Sequence, residues 1–226
     1  MRTSHRRSTL AAAPVAGLLL TLAAAPVAGL LLLSACTAGS AGSAAPTSTT
    51  APSDQRLEEA HPRPPEKTVI GMGTVMDVGG DVQLCLGAVA ESYPPQCSGV
   101  PLDGWSWDDL EGSESSGQTT WGAYAVSATF DGERLESTEP PMLLALYDPL
   151  VPEDSTGGVA GTTPDEELAR VQEDVFARLD DALTAWSDRG YVWVQVVWDD
   201  GSLQEAVDAE YGDDVVVVQS ALREIG

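Results

Sequence analysis

Two tryptophans and several carboxylates share one short polar stretch, GWSWDDLEGSE. Trp105 and Trp107 are two residues apart, so in an extended segment they lie on one face. Two indoles on one face form a stacking platform for a sugar or a peptide, and carboxyl pairs flanked by aromatic rings are typical of glycosidases. The alternative is that both rings close the end of a β core. We therefore treat Trp105 and Trp107 as a candidate binding surface.

Other catalytic chemistry is limited by which residue types the chain carries. The histidines are His5 and His61, and the single lysine is Lys67. We assign His5 to an export signal and His61 to a tether, so the folded part is expected to hold no histidine. This expectation excludes Ser-His-Asp catalysis and histidine-ligated zinc. We predict no catalytic residue, no metal site and no cofactor.

The cysteines lie at positions 36, 85 and 97. If Cys36 is modified, Cys85 and Cys97 remain as a pair, and in an oxidising compartment two cysteines form a disulfide. The SYPP sequence between them can turn the chain back. A metal pair is the alternative, but no histidine is expected nearby to complete it.

The first 35 residues have the three parts of a secretory signal: a basic start, an apolar middle and a small-residue end. The last four positions before the polar region, Leu33-Ser34-Ala35-Cys36, resemble the lipobox of bacterial lipoproteins. The resemblance implies cleavage before Cys36 and a lipid on its thiol, with a palmitate-type acyl chain holding the protein at the membrane. Because TLAAAPVAGLLL occurs twice, at 9–20 and 21–32, an uncleaved transmembrane helix is the alternative.

Residues 36–66 are rich in Ala, Ser, Thr and Pro and contain little that could be buried, which predicts a disordered tether. The chain is strongly acidic, with a net charge of −24. This charge argues against nucleic acid as a partner, because nucleic-acid binding needs a basic surface. It equally disfavours electrostatic docking on anionic lipid, so the lipid on Cys36 must supply the membrane attachment.

The folded region is predicted to have an α+β fold in two parts. Residues 67–149 form a β-rich domain of about five short strands, read as a small disulfide-bonded barrel or curled sheet that is OB-like. After a linker at 150–162, residues 163–226 form an αβαβ domain. Its first helix is predicted from a capping box at Thr163 and an apolar stripe that runs to Trp186, and Gly190 is expected to end it. A second capping box at Ser202 predicts a short helix that ends at Gly212. The two strands are expected to be parallel neighbours.

The strand YVWVQVVW in the second part has two different faces. Val192, Val194, Val196 and Trp198 form an apolar face that must be core. Tyr191 and Trp193 lie on the other face and must be covered, either by the β-rich domain or by a partner. We predict Tyr191 and Trp193 as a second candidate binding surface.

The segments LCLGAVAESYPPQC, GWSW, WGAY and YGDDVVVVQSAL resemble a group of secreted lipoproteins of actinobacteria. The resemblance implies a position on the extracellular face of the cell membrane and no particular activity. We therefore expect a lipid-anchored protein that binds a protein or carbohydrate of the cell envelope or serves a structural role there, with its oligomeric state left open. The alternative is a small carboxylate-dependent hydrolase or a carbohydrate-binding module.

Overall fold

The structure is a computed structural model that describes residues 57–149, 151 and 154–226. The residues from Ser48 to Gly226 belong to one unit. The elements are β1 (Val69–Val78), β2 (Asp81–Cys85), β3 (Val100–Asp103), β4 (Glu114–Ser116), β5 (Thr119–Phe130), β6 (Leu135–Ser137), β7 (Met142–Leu143), α1 (Asp165–Arg178), β8 (Ala182–Asp188), β9 (Tyr191–Val196), α2 (Ser202–Tyr211), β10 (Val216–Ser220) and β11 (Arg223–Glu224).

The first part closes into a five-stranded barrel, as predicted. The strands follow the order β1-β2-β3-β6-β5, and β5 pairs back onto β1 over ten residues. All neighbours are antiparallel except β3 and β6, which are parallel. The short strands β4 and β7 pair with β5 outside this ring.

Strand β1 carries a glycine where β2 comes close to it. A side chain on Gly73 would collide with the carbonyl oxygen of Cys85 on β2. Because Gly73 has no side chain, β1 can pair with two strands along one edge, with β11 at Val69 and with β2 from Thr74 onward. The barrel interior is then filled by apolar side chains, including Val75, Leu84 and Leu135.

The second part is not the predicted αβαβ unit, because it runs α1-β8-β9-α2-β10. Helix α1 ends at Arg178, and the residues expected to extend it form strand β8. A spacing of four residues, as between Ala182 and Trp186, fits a strand as well as a helix. Arg189 and Gly190 both have positive φ, the geometry of a tight hairpin turn, so Gly190 joins β8 to β9 instead of ending a helix.

The predicted parallel pairing and the buried valine face are confirmed, whereas two other predictions for this part are not. The N-cap of α1 is Pro164, with no side-chain cap from Thr163, and Trp198 is half-buried against the barrel core. Strands β9 and β10 are parallel neighbours joined across α2. Val192, Val194 and Val196 are fully buried beneath the two helices. The last strand, β11, pairs with β1, and Leu222 packs into the barrel interior. Strand β11 therefore extends the barrel's sheet, while β8, β9 and β10 form a separate three-stranded sheet.

Residues 57–67 form a strap, called here the N-terminal strap, that packs against the second part. Leu57 and Ala60 lie in its apolar core and expose 1% and 7% of their surface. The disordered tether was predicted to continue to residue 66, whereas its last ten residues, 57–66, are packed against the second part. Two apolar side chains are enough to dock a short segment onto an existing core, even where the rest of the segment is polar.

Candidate functional site

The two tryptophans of the GWSW segment close one end of the barrel. Trp105 and Trp107 meet edge to face at 5.2 Å between ring centroids, and Trp105 meets buried Tyr124 at 5.3 Å. The indole nitrogen of Trp107 donates to Asp77 at 3.0 Å, and the hydroxyl of Tyr124 donates to the carbonyl of Glu111 at 2.8 Å. Both indoles are half-buried, so this group serves as a plug for the β core.

The face that carries Tyr191 and Trp193 is covered by the chain itself. These side chains expose 5% and 4% of their surface and pack with Val217 of β10. Trp186 stacks on Trp193 at 6.3 Å, and the Arg189 guanidinium lies 5.3 Å from the centre of the Trp193 ring. The backbone of Gly161, in the predicted linker, lies against Gly190 and Tyr191. The expected cover was the barrel or a partner, and the chain's own hairpin and linker provide it instead.

The predicted disulfide joins Cys85 and Cys97, whose Cα atoms are 6.1 Å apart. Cys85 is the last residue of β2 and is buried, while Cys97 lies in the loop that returns the chain to β3. The bond therefore staples the loop at 86–97 to the barrel wall. Leu86 and Ser98 flank the bonded cysteines and both line the cleft described next.

A cleft of about 670 Å³ lies between the barrel, the second part and the N-terminal strap. The barrel contributes β2, β3 and the β5–β6 turn, and the second part contributes the segments after α1 and β9. Its lining is His61, Pro62, Leu84, Leu86, Ser98, Gly99, Val100, Pro101, Phe130, Gly132, Glu133, Asp180, Asp181, Ala182, Leu183, Val197 and Trp198. Its volume falls within the range of small-molecule sites, about 300–1,000 Å³.

The cleft has an apolar floor and an acidic rim. Leucine, valine, proline and aromatic side chains make up most of its wall, and the carboxylates are Glu133, Asp180 and Asp181. Among the described residues, Asp180 and Asp181 have neither a side-chain hydrogen bond nor a salt bridge. Apolar side chains at the base of a cleft with polar groups near its opening are a feature that ligand sites share.

His61 corrects the expectation that the folded part holds no histidine. It lies on the N-terminal strap and lines the cleft together with Ser98. Histidine-dependent catalysis is therefore no longer excluded by the absence of a histidine from the folded part. Among the described residues, however, no hydrogen bond joins Ser98 to His61, so the nucleophile–base contact of a catalytic triad is not formed.

Ion pairs and hydrogen bonds hold the N-terminal strap beside the cleft. Arg178 of α1 contacts Glu58 at 2.7 Å and Glu210 of α2 at 2.8 Å. Further along, Arg63 contacts Asp200 at 3.0 Å, and the indole of Trp198 donates to the Arg63 carbonyl at 2.9 Å. The strap is thus fastened at both ends.

The turn before α2 depends on two adjacent carboxylates rather than on Ser202, which we expected to cap this helix. The Asp199 carboxylate accepts from the backbone of Leu203 at 2.9 Å and of Gln204 at 3.4 Å. Burial raises the pKa of Asp199. Hydrogen bonding from Ser202 and then from Arg63 lowers the pKa of Asp200 to about 2.

Acid is expected to weaken the contact between Asp200 and the strap. Because its pKa is lower in the folded than in the unfolded state, Asp200 contributes stability above its ordinary value of 3.8, and this contribution is lost as the pH falls through about 2. Asp200→Asn should therefore be less stable than the wild type at pH 6, and the difference, measured by urea unfolding, should shrink below about pH 4 and vanish below about pH 2. A difference that stays constant over this range would show that the ionised carboxylate is not responsible.

The cleft residues were not predicted from the sequence, because the walls of the cleft come from segments that are far apart in the chain. Asp180 and Asp181 follow α1, Trp198 follows β9, and His61 lies more than a hundred residues earlier. One local signal was present, the exposed Asp-Asp pair directly after an amphipathic helix. Its partners across the cleft depend on the closure of the barrel.

Cys36, the predicted lipid site, and the whole predicted leader lie outside the described residues. Within residues 57–149, 151 and 154–226, neither helix is long or apolar enough to cross a bilayer. Over the same residues, no three His, Cys, Asp or Glu side chains are grouped as metal ligands would be.

Compared with known proteins, the chain matches no family model, no curated protein and no solved structure.

Proposed function

We propose that this is a lipid-anchored protein on the extracellular face of the cell membrane that binds a ligand in the cleft beside the barrel. The observation that carries the binding role is the cleft itself, with its apolar floor and acidic rim. The lipobox at residues 33–36 supports the anchor. The Cys85–Cys97 disulfide supports an oxidising compartment, since such bonds persist outside the cytosol.

The barrel is OB-like in this proposal. Five strands in a closed ring, with one parallel pair between the third and the last, support the assignment. OB-folds bind ligands on the face of their second and third strands and with the loop before the last strand. The cleft uses Leu84 and Val100, from β2 and β3, and Gly132 of the β5–β6 turn. This analogy supports the position of the site and does not identify the ligand.

The second candidate function is a small hydrolase of the cell envelope. It would act either through carboxylates such as Asp108 and Glu111 or through Ser98 and His61 in the cleft. Asp108 hydrogen-bonds Ser106, and the tryptophans beside it pack inward, which weakens the carboxylate version. A hydrolytic activity that is lost in Asp108→Asn or His61→Ala, with the fold intact, would favour this candidate over binding alone.

Blocking the cleft tests the proposed binding function. Ser98→Trp places a large side chain in the cleft and should reduce the fluorescence gained by the neutral dye Nile red at least about three-fold, because the apolar floor is covered. Ser155→Trp, on the exposed linker, adds the same side chain elsewhere and should leave dye binding unchanged. Equal dye binding by the wild type and both variants would contradict a binding role for the cleft.

A further inference from the structure

The carboxylates on the cleft rim outnumber the cations beside them. The lining contains Glu133, Asp180 and Asp181 and, among the described residues, no lysine or arginine. Arg134 pairs with Asp103 at 2.7 Å, and the Glu133 carboxylate contributes to the raised pKa of Arg134. Arg63 pairs with Asp200. A negative potential therefore remains at the opening.

The end of α1 adds to this potential. The helix ends at Arg178, and Asp180 and Asp181 follow it directly. The carbonyl groups of the last turn carry partial negative charge and favour a cation. Arg178, the one base in this turn, is occupied by Glu58, Asp174 and Glu210.

An apolar wall with an aromatic ring continues inward from the rim. Trp198 is half-buried and lines the cleft from the second part together with Val197, and Leu86 and Val100 line it from the barrel. Aliphatic chains gain by burial against such side chains, and an organic cation over an indole face gains further. The net charge of −24 also raises the local concentration of cations around the protein.

We propose that the cleft selects a small amphipathic cation, an aliphatic chain that carries a protonated amine. The chain lies against the apolar wall near Trp198, and the ammonium lies between Asp180, Asp181 and Glu133. This assignment rests on the proposed binding function and adds the chemical class of the ligand. A volume of about 670 Å³ favours a small molecule over a folded partner.

Three small molecules that share an alkyl chain of the same length test the selectivity for a cation: octylammonium, octanol and octanoate. Each is titrated calorimetrically into the full-length protein at low ionic strength. Octylammonium should bind at a single site, octanol about ten-fold more weakly, and octanoate more weakly still. Binding of the neutral dye Nile red is measured in parallel, because an uncharged molecule reports occupation of the cleft independently of the carboxylates on its rim.

Two double variants separate the rim from the general acidity of the protein. Asp180→Asn with Asp181→Asn should weaken octylammonium binding about five-fold or more and leave octanol unchanged. Asp213→Asn with Asp214→Asn removes an adjacent exposed pair that does not line the cleft and should change the affinity less than two-fold. Circular dichroism confirms that both variants are folded.

Several outcomes would overturn the assignment. If octanol equals octylammonium while the dye still binds, the cleft binds ligands but does not select cations. If both double variants weaken binding equally, the acidic surface as a whole attracts the probe. If the acetylated tripeptide amide Leu-Lys-Leu binds and octylammonium does not, the occupant is a peptide. If neither the dye nor any of the three alkyl probes binds, the proposed binding function itself fails.

Discussion

Leu57→Ala is expected to lower the free energy of unfolding by about 2–5 kcal/mol, the usual cost of truncating a buried leucine. Leu57 exposes 1% of its surface and packs among Leu203, Ala206 and Val207 of α2. Because the strap also carries His61 into the cleft, the same change should loosen the cleft wall. Urea unfolding, followed by tryptophan fluorescence, measures the effect.

The matched control for this prediction is Leu146→Ala. Leu146 exposes 77% of its surface, so its truncation should change stability by less than about 0.5 kcal/mol. A disordered tether up to residue 66 would make the two variants equivalent. If Leu57→Ala is as stable as Leu146→Ala, the N-terminal strap is not docked in solution.

Loss of the disulfide should cost about 3 kcal/mol in the chain-entropy model for a loop with a sequence separation of 12. Replacing both Cys85 and Cys97 by alanine removes the bond and avoids placing a hydroxyl at Cys85, which is buried. The midpoint of urea unfolding should fall accordingly. Dye binding in the cleft should weaken as well, since Leu86 and Ser98 are held by the staple.

Reduction of the wild type with a phosphine serves as the control for this variant. It breaks the same bond without changing any side-chain volume, so its midpoint should match that of the double alanine variant. A reduced protein as stable as the oxidised one would show that the 86–97 loop keeps its shape without the bond.

The parts of the fold that were predictable had strong local signals. The β-rich domain at residues 67–149 and the end of α2 at Gly212 were both predicted from the sequence. Strand β8 was not predictable in this way, because Ala182 and Trp186 fit both periods. This segment becomes a strand because of the hairpin at Arg189-Gly190 and its pairing with β9, which depend on tertiary structure.

The candidate site was less predictable than the fold. The aromatic residues chosen from the sequence are real structural features, but Trp105 and Trp107 plug the barrel, and Tyr191 and Trp193 are covered by the hairpin and linker. Aromatic side chains are large enough to contribute to a core wherever they occur, so their presence does not distinguish a plug from a platform. The cleft emerged only where the strap, the barrel and the second part meet.

The lipid anchor on Cys36 is tested most directly by the intact mass of the protein from the membrane fraction of a bacterium that carries the lipoprotein pathway. We expect the mass of a chain that begins at Cys36 and carries acyl groups, with one hydrogen gained per bonded cysteine, Cys85 and Cys97, on reduction. A full-length mass without acyl groups would contradict the anchor. It would mean that the duplicated TLAAAPVAGLLL holds the protein in the membrane.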